Sequence, residues 1–86
     1  MLKIKRFADG EFAVFVLSGR IGDEHLEQLE NLFKEERQRI ILDLKEVNLA
    51  GCESITLLAR WEERGAKLKD CPPFIREWIN RKRDKT

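Results

Sequence analysis

Apolar and basic residues alternate with period two along Leu2-Lys-Ile-Lys-Arg-Phe7, and Phe12-Ala-Val-Phe-Val-Leu17 is a run of strand-favouring residues closed by Ser18-Gly19. Alternation of this kind puts successive side chains on opposite faces of a strand. Asp9-Gly10 lies between the two runs and supplies residues that tolerate positive φ, so the pattern predicts an antiparallel hairpin. The period then changes. Between Asp23 and Arg37, Leu26, Leu29, Leu32 and Phe33 recur at spacings of three and four among charged residues, which predicts an amphipathic helix capped by Asp23.

Arg39-Ile-Ile-Leu-Asp-Leu44 is apolar without alternation, the pattern of a central strand covered on both faces within a parallel sheet. Residues 45–50 read as a loop. Gly51-Cys-Glu-Ser54 then opens a second helix that ends at Gly65, a residue suited to the left-handed turn after a helix, and Ala66-Lys-Leu-Lys69 reads as a short strand. Cys71-Pro72-Pro73 blocks a helix from passing through but favours one starting, so a third helix is expected from Pro72 or Pro73 to Lys82. Residues 82–86 form a basic tail expected to fray. The order β, β, α, β, α, β, α predicts an α/β fold, a single small domain over residues 1–86 with a mixed, mostly parallel sheet packed with helices.

Composition narrows the function classes. Eighty-six residues leave room for one domain, and 17 basic against 16 acidic residues give a net charge of +1, too little to draw in nucleic acid or an anionic membrane as a whole. Arg76, Arg81, Lys82, Arg83 and Lys85 make the C-terminal end basic, but no aromatic or glycine-rich reading surface accompanies them, so no nucleic-acid partner is expected. No apolar run approaches the roughly 20 residues of a spanning helix, and direct membrane insertion is not expected. Cys52 and Cys71 fit free thiols in a reducing compartment, which makes the cytoplasm the expected location.

Candidate chemistry is sparse. Asp43 and Glu46 are a carboxylate pair with no nucleophile, nearby base or phosphate-cradling loop, so no catalytic residue, cofactor or enzymatic activity is expected. Cys52 and Cys71 each follow a predicted strand and read either as a close redox or metal-binding pair or as two small apolar residues. Zinc usually takes four ligands, and the single histidine, His25, starts another helix, so no metal site is expected. Trp61 follows Leu57 by one helical turn and reads either as a core-edge residue or as part of an interface.

The segment from Ile41-Leu-Asp-Leu44 through Val47 and Gly51-Cys-Glu-Ser54 to Leu57-Leu58, with Leu17-Ser-Gly-Arg-Ile21 before it, resembles the STAS domain, the fold of bacterial anti-sigma factor antagonists. Gly51, Cys52, Glu53 and Ser54 fall on that family's Asp, Ser, Ser and Gly positions. The resemblance implies a regulatory protein-protein interaction module for transcriptional signalling, with an anti-sigma factor or kinase-like partner. It implies binding through the turn and helix at residues 51–61, here Cys52, Glu53, Ser54, Leu57 and Trp61. A homodimer is compatible with it. In the family the second serine is phosphorylated by a partner kinase, which weakens binding. Glu53 stands at that phosphoacceptor-equivalent position and cannot accept the group, and its charge near −1 is smaller than the roughly −1.5 to −2 of phosphoserine. It reads as a fixed mimic or as an acid favoured in a helix's first turn. The alternative the resemblance offers is a cytoplasmic accessory subunit of a membrane transport system, partnered by a transport ATPase.

Overall fold

The computed structural model describes residues 2–84, and the expected hairpin opens them as β1 (Leu2–Asp9) and β2 (Phe12–Ile21). The strands pair antiparallel from Leu2 opposite Gly19 to Asp9 opposite Phe12. Gly10 has φ +61° at the first of the two connecting positions, where a type II′ turn needs it, while Asp9 stays in the strand. After a single 3₁₀ turn (Asp23–His25) come α1 (Leu26–Glu35), β3 (Arg39–Ala50), α2 (Cys52–Glu63), β4 (Lys67–Lys69) and α3 (Pro73–Asp84). The sheet order is β1-β2-β3-β4, antiparallel between β1 and β2 and parallel at the other two pairings. The α/β fold with a mixed, mostly parallel sheet is as the sequence predicts.

Strand β3 departs from the sequence reading in length. Residues 45–50, expected as a loop, continue the strand, because their backbone pairs with the end of β2: Ser18 with Glu46, Gly19 with Val47, Ile21 with Ala50. Two register shifts let this ladder run on although the side chains no longer alternate cleanly. At the first shift, Asp43 Oδ1 accepts the Lys45 N–H at 3.1 Å.

Burial on β3 also alternates, with Ile40, Leu42 and Leu44 buried and Ile41 and Asp43 half-exposed between them. Double-sided cover is therefore not what the sequence run encodes. The buried residues of α1, α2 and α3, among them Leu29, Phe33, Ile55, Leu58, Ile75 and Ile79, form one core with Ala13, Phe15 and Leu17 of β2. The opposite sheet face carries Lys3, Lys5 and a Phe7 that is 50% exposed, and there Ile41 is shielded by its strand neighbours Val14 and Lys67. Within the core, Phe33 stands edge-on between Phe15 and Trp61, with ring centroids 5.3 and 5.4 Å away.

Local chemistry sets the helix limits. Gly22, not Asp23, precedes the first helical turn: its N–H donates to His25 Nδ1 at 3.1 Å and its carbonyl accepts the His25 N–H at 3.0 Å. Asp23 is thus not the cap the sequence suggests. Helix α1 ends at Glu35 rather than Arg37 because Glu36 turns away to meet Arg6, which donates to both its carboxylate oxygens at 2.7 and 3.0 Å. The same carboxylate accepts the Gln38 N–H, and Gln38 Nε2 donates to the Gly10 carbonyl, tying the hairpin to the start of β3. Helix α2 closes as expected at Gly65, with φ +113°. The Gly65 N–H donates to the Glu62 carbonyl and the Ala66 N–H to that of Trp61, which is a Schellman motif. Helix α3 starts at Pro73 and continues past Lys82, where fraying was expected, to Asp84; Lys85 and Thr86 of the expected tail lie outside the described residues. Among the described residues no helix is long and apolar enough to cross a membrane.

The Arg6 contact holds the Glu36 carboxyl below the usual carboxylate range through its hydrogen bonds. A carboxyl with a lowered folded pKa adds stability that is present above its unfolded value of about 4.3 and is lost as pH falls through the folded value. Urea unfolding is therefore expected to show Glu36→Gln with a lower midpoint than the parent at pH 7. The two midpoints should converge as the pH falls below about 4; a constant gap down to acid pH would refute this.

Candidate functional site

Strands β2 and β3 end side by side, Ile21 opposite Ala50, and both following helical segments start from that edge. The Ile21 carbonyl accepts two hydrogen bonds there, from the Gly51 N–H at 3.0 Å and from the Ser54 hydroxyl at 3.1 Å. Gly51 is the residue before α2, with Cys52, Glu53 and Ser54 as the helix's first three positions. Its φ of −74° is open to any residue, so conformation is not what favours glycine. A Cβ on Gly51 would stand 2.8 Å from Asp23 Oδ1, a contact that the exposed Asp23 side chain can relieve by turning away. The Asp23 carboxylate takes the place beside α2 that a capping side chain would fill, and its charge complements the positive end of the helix.

The five residues expected to bind a partner divide into two sets. Cys52 and Glu53 are exposed. Ser54 is fully buried, Leu57 is 2% exposed and Trp61 9%, so these three form the inner face of α2 and offer no surface for docking. The 3.6-residue period accounts for this: once Ser54 is turned to Ile21, positions three and seven further on turn inward with it. Trp61 is a core tryptophan, packed on Phe33 and overlain at 5.0 Å by the Arg64 guanidinium.

Two surface residues that sequence reasoning passed over lie at this edge. Leu49 is 55% exposed and shares a hollow with Arg20, Asp23, Glu24 and Gly51. Trp78 is 42% exposed and lines a second hollow with Cys52, Arg81 and Lys82, where Lys82 Nζ donates to Cys52 Sγ at 3.3 Å. Leu49 fell in the supposed loop. Phe74 with Trp78 and Ile75 with Ile79 are two apolar pairs at helical spacing, and α3 buries Ile75 and Ile79 completely and leaves Phe74 and Trp78 out. Spacing alone does not say which of two neighbouring i, i+4 pairs is the inner one.

Neither cysteine forms a disulfide. Burial pushes the Cys71 thiol up, partly opposed by nearby Arg76, which makes it a poor nucleophile. Among the described residues no group of three or more His, Cys, Asp or Glu side chains is placed to hold a metal. Asp43 binds backbone at the β3 register shift, as a turn-forming aspartate does.

Ser54→Ala is expected to cost about 1 kcal/mol in chemical denaturation, because the Ile21 carbonyl keeps its bond from Gly51. Ser54→Asp should cost clearly more, since it puts a carboxylate beside that carbonyl in a fully buried position. Equal stability of Ser54→Asp and the parent would contradict the placement.

No protein-family model and no curated relative matches the sequence. Solved structures do match. The anti-sigma factor antagonist SpoIIAA in its unphosphorylated form is 17% identical, with a TM-score of 0.64 over 90% of this chain and 79% of that one. The antisigma-factor antagonist STAS domain from Rhodobacter sphaeroides is 14% identical, with a TM-score of 0.54 over 85% of this chain and 91% of that one. Mglu is 18% identical with a TM-score of 0.64 over 80% of this chain, which spans only 19% of Mglu's length. The chain has a STAS-like fold.

Proposed function

We propose that this chain is a regulatory protein-binding module that docks on a switch partner of the anti-sigma factor or kinase class through the surface around the start of α2. The observation that supports this reading is the pair of exposed apolar side chains there. Leu49 shares its hollow with Gly51, and Trp78 shares its own with Cys52. Arg20, Glu24, Arg81 and Lys82 line the same hollows. Large apolar or aromatic anchors among charged residues are what a protein-binding surface uses for affinity and orientation. The likeness to an anti-sigma factor antagonist adds the class of partner.

In this reading Glu53 gives the docking surface a fixed negative charge where the resemblance places a phosphorylatable serine. Binding is then set by the partner's abundance and state rather than by phosphate on this chain. The module works without a cofactor and catalyses nothing. Its setting is transcriptional signalling in a bacterial cytoplasm.

Calorimetric titration with a purified anti-sigma factor kinase from the source cell tests the reading. Trp78→Ala and Leu49→Ser should each weaken binding at least about tenfold, a loss of about 1.4 kcal/mol. With ATP present the parent should bind unchanged and take up no phosphate, whereas Glu53→Ser should be phosphorylated. Parent-like affinity in both surface variants, with circular dichroism unchanged, would overturn the docking surface.

A further inference from the structure

The other end of α2 borders a separate hollow of about 520 Å³, lined by residues from the ends of α1 and α2 and the starts of β3 and β4. Its size is within the roughly 300–1,000 Å³ of small-molecule sites. Phe12, Phe33 and Trp61 line it together with Arg39, Arg64 and Lys67.

Two features of this hollow call for the same kind of partner. Trp61 is nine-tenths buried, and its indole N–H is buried without an acceptor in the protein. Native proteins seldom leave a buried donor unpaired, because its lost hydration is not repaid. The cations, for their part, have no short ion pair among the described residues. Arg64 lies 5.0 Å over the Trp61 ring, Lys67 lies 5.4 Å over the Phe12 ring, and Arg39 reaches Glu11 only at 4.0 Å between two exposed side chains. A lone donor and three cations all favour negative charge.

The opposing charges are already engaged. Glu36 lines the hollow too, but Arg6 holds its carboxylate. The helix ends bring partial negative charge, yet the Phe33, Trp61 and Glu62 carbonyls accept N–H groups of Glu36, Ala66 and Gly65.

We propose that this hollow binds a small organic anion, a carboxylate or phosphate carried on an apolar or aromatic body. Arg64, now 5.0 Å over the Trp61 ring, moves aside so that one anionic oxygen can reach the indole N–H that is closed off beneath it, and Arg64 and Lys67 then close onto the charge. The apolar body then covers the Phe12 and Trp61 rings that the two cations vacate. The site stands at the far end of a twelve-residue helix from Cys52, about 18 Å away along its axis, so it does not rest on the partner-binding reading.

The test uses the Trp78→Phe variant, which leaves Trp61 as the single tryptophan. Its indole ¹H–¹⁵N signal is followed at constant ionic strength while phenyl phosphate, benzoate, inorganic phosphate or neutral benzyl alcohol is added. Phenyl phosphate or benzoate should move the signal saturably, and benzyl alcohol should not. Adding Arg64→Gln and Lys67→Gln should weaken binding at least about tenfold while the rest of the spectrum stays dispersed. Trp61→Phe, followed through backbone amides around the hollow, should lose binding; should it fail to fold, the double surface variant carries the test. An indole signal unmoved by every anion, moved equally by benzyl alcohol, or moved by inorganic phosphate alone would overturn the proposal.

Discussion

Both lone pairs of the Ile21 carbonyl are used at the edge where β2 and β3 finish, one by the Gly51 N–H and one by the Ser54 hydroxyl. That single acceptor fixes the start of α2 in position and in rotation about its own axis. With Ser54 held inward, the helical period sends Leu57, Leu58 and Trp61 into the core and leaves Cys52 and Glu53 at the surface. The aromatic chain Phe15–Phe33–Trp61 depends on the same rotation, because Trp61 meets Phe33 only from the inner face of α2. What this edge exposes and what it keeps inside follow from that seating, to which the Gly51 N–H and the Ser54 hydroxyl both contribute.

The two ends of α2 then have different characters. At the start, Asp23 and Glu53 bring negative charge to the positive end of the helix, and Leu49 and Trp78 bring apolar surface near it. At the finish, a Schellman turn takes up the last carbonyls and leaves arginine and lysine side chains over aromatic rings. The first is the surface proposed for docking, and the second is the hollow proposed for a small anion. Helix α2 is the shared wall of both.

Much of this was legible in the sequence where local chemistry decides. Gly10 at the hairpin, Gly65 after α2 and Pro73 at the start of α3 each have a conformational requirement that the residue itself declares. The length of β3 was not, because residues 45–50 are strand only by pairing with Ser18 to Ile21, and nothing local in that stretch announces a partner. The end of α1 was hidden for a related reason: Glu36 leaves the helix for Arg6, thirty positions earlier. Within the candidate site, the position of Glu53 in the first turn could be read from the resemblance, but which face of α2 turns inward could not. Spacing left Trp61 open between core edge and interface, and it did not separate Trp78 from the buried pair of α3; Trp61 enters the core with the inner face of α2, and Trp78 stands out because α3 buries Ile75 and Ile79 instead.

Native-state amide hydrogen exchange, resolved residue by residue, measures the seating of α2 most directly. The Gly51 amide, bonded to Ile21, should exchange only through large-scale unfolding, with protection matching that of core amides in β2 and β3, while the Glu53 amide, a first-turn donor facing outward, should exchange fast. A Gly51 amide that exchanges as readily as that of Glu53 would mean that the start of α2 is not pinned, and the account of what this edge presents would be wrong.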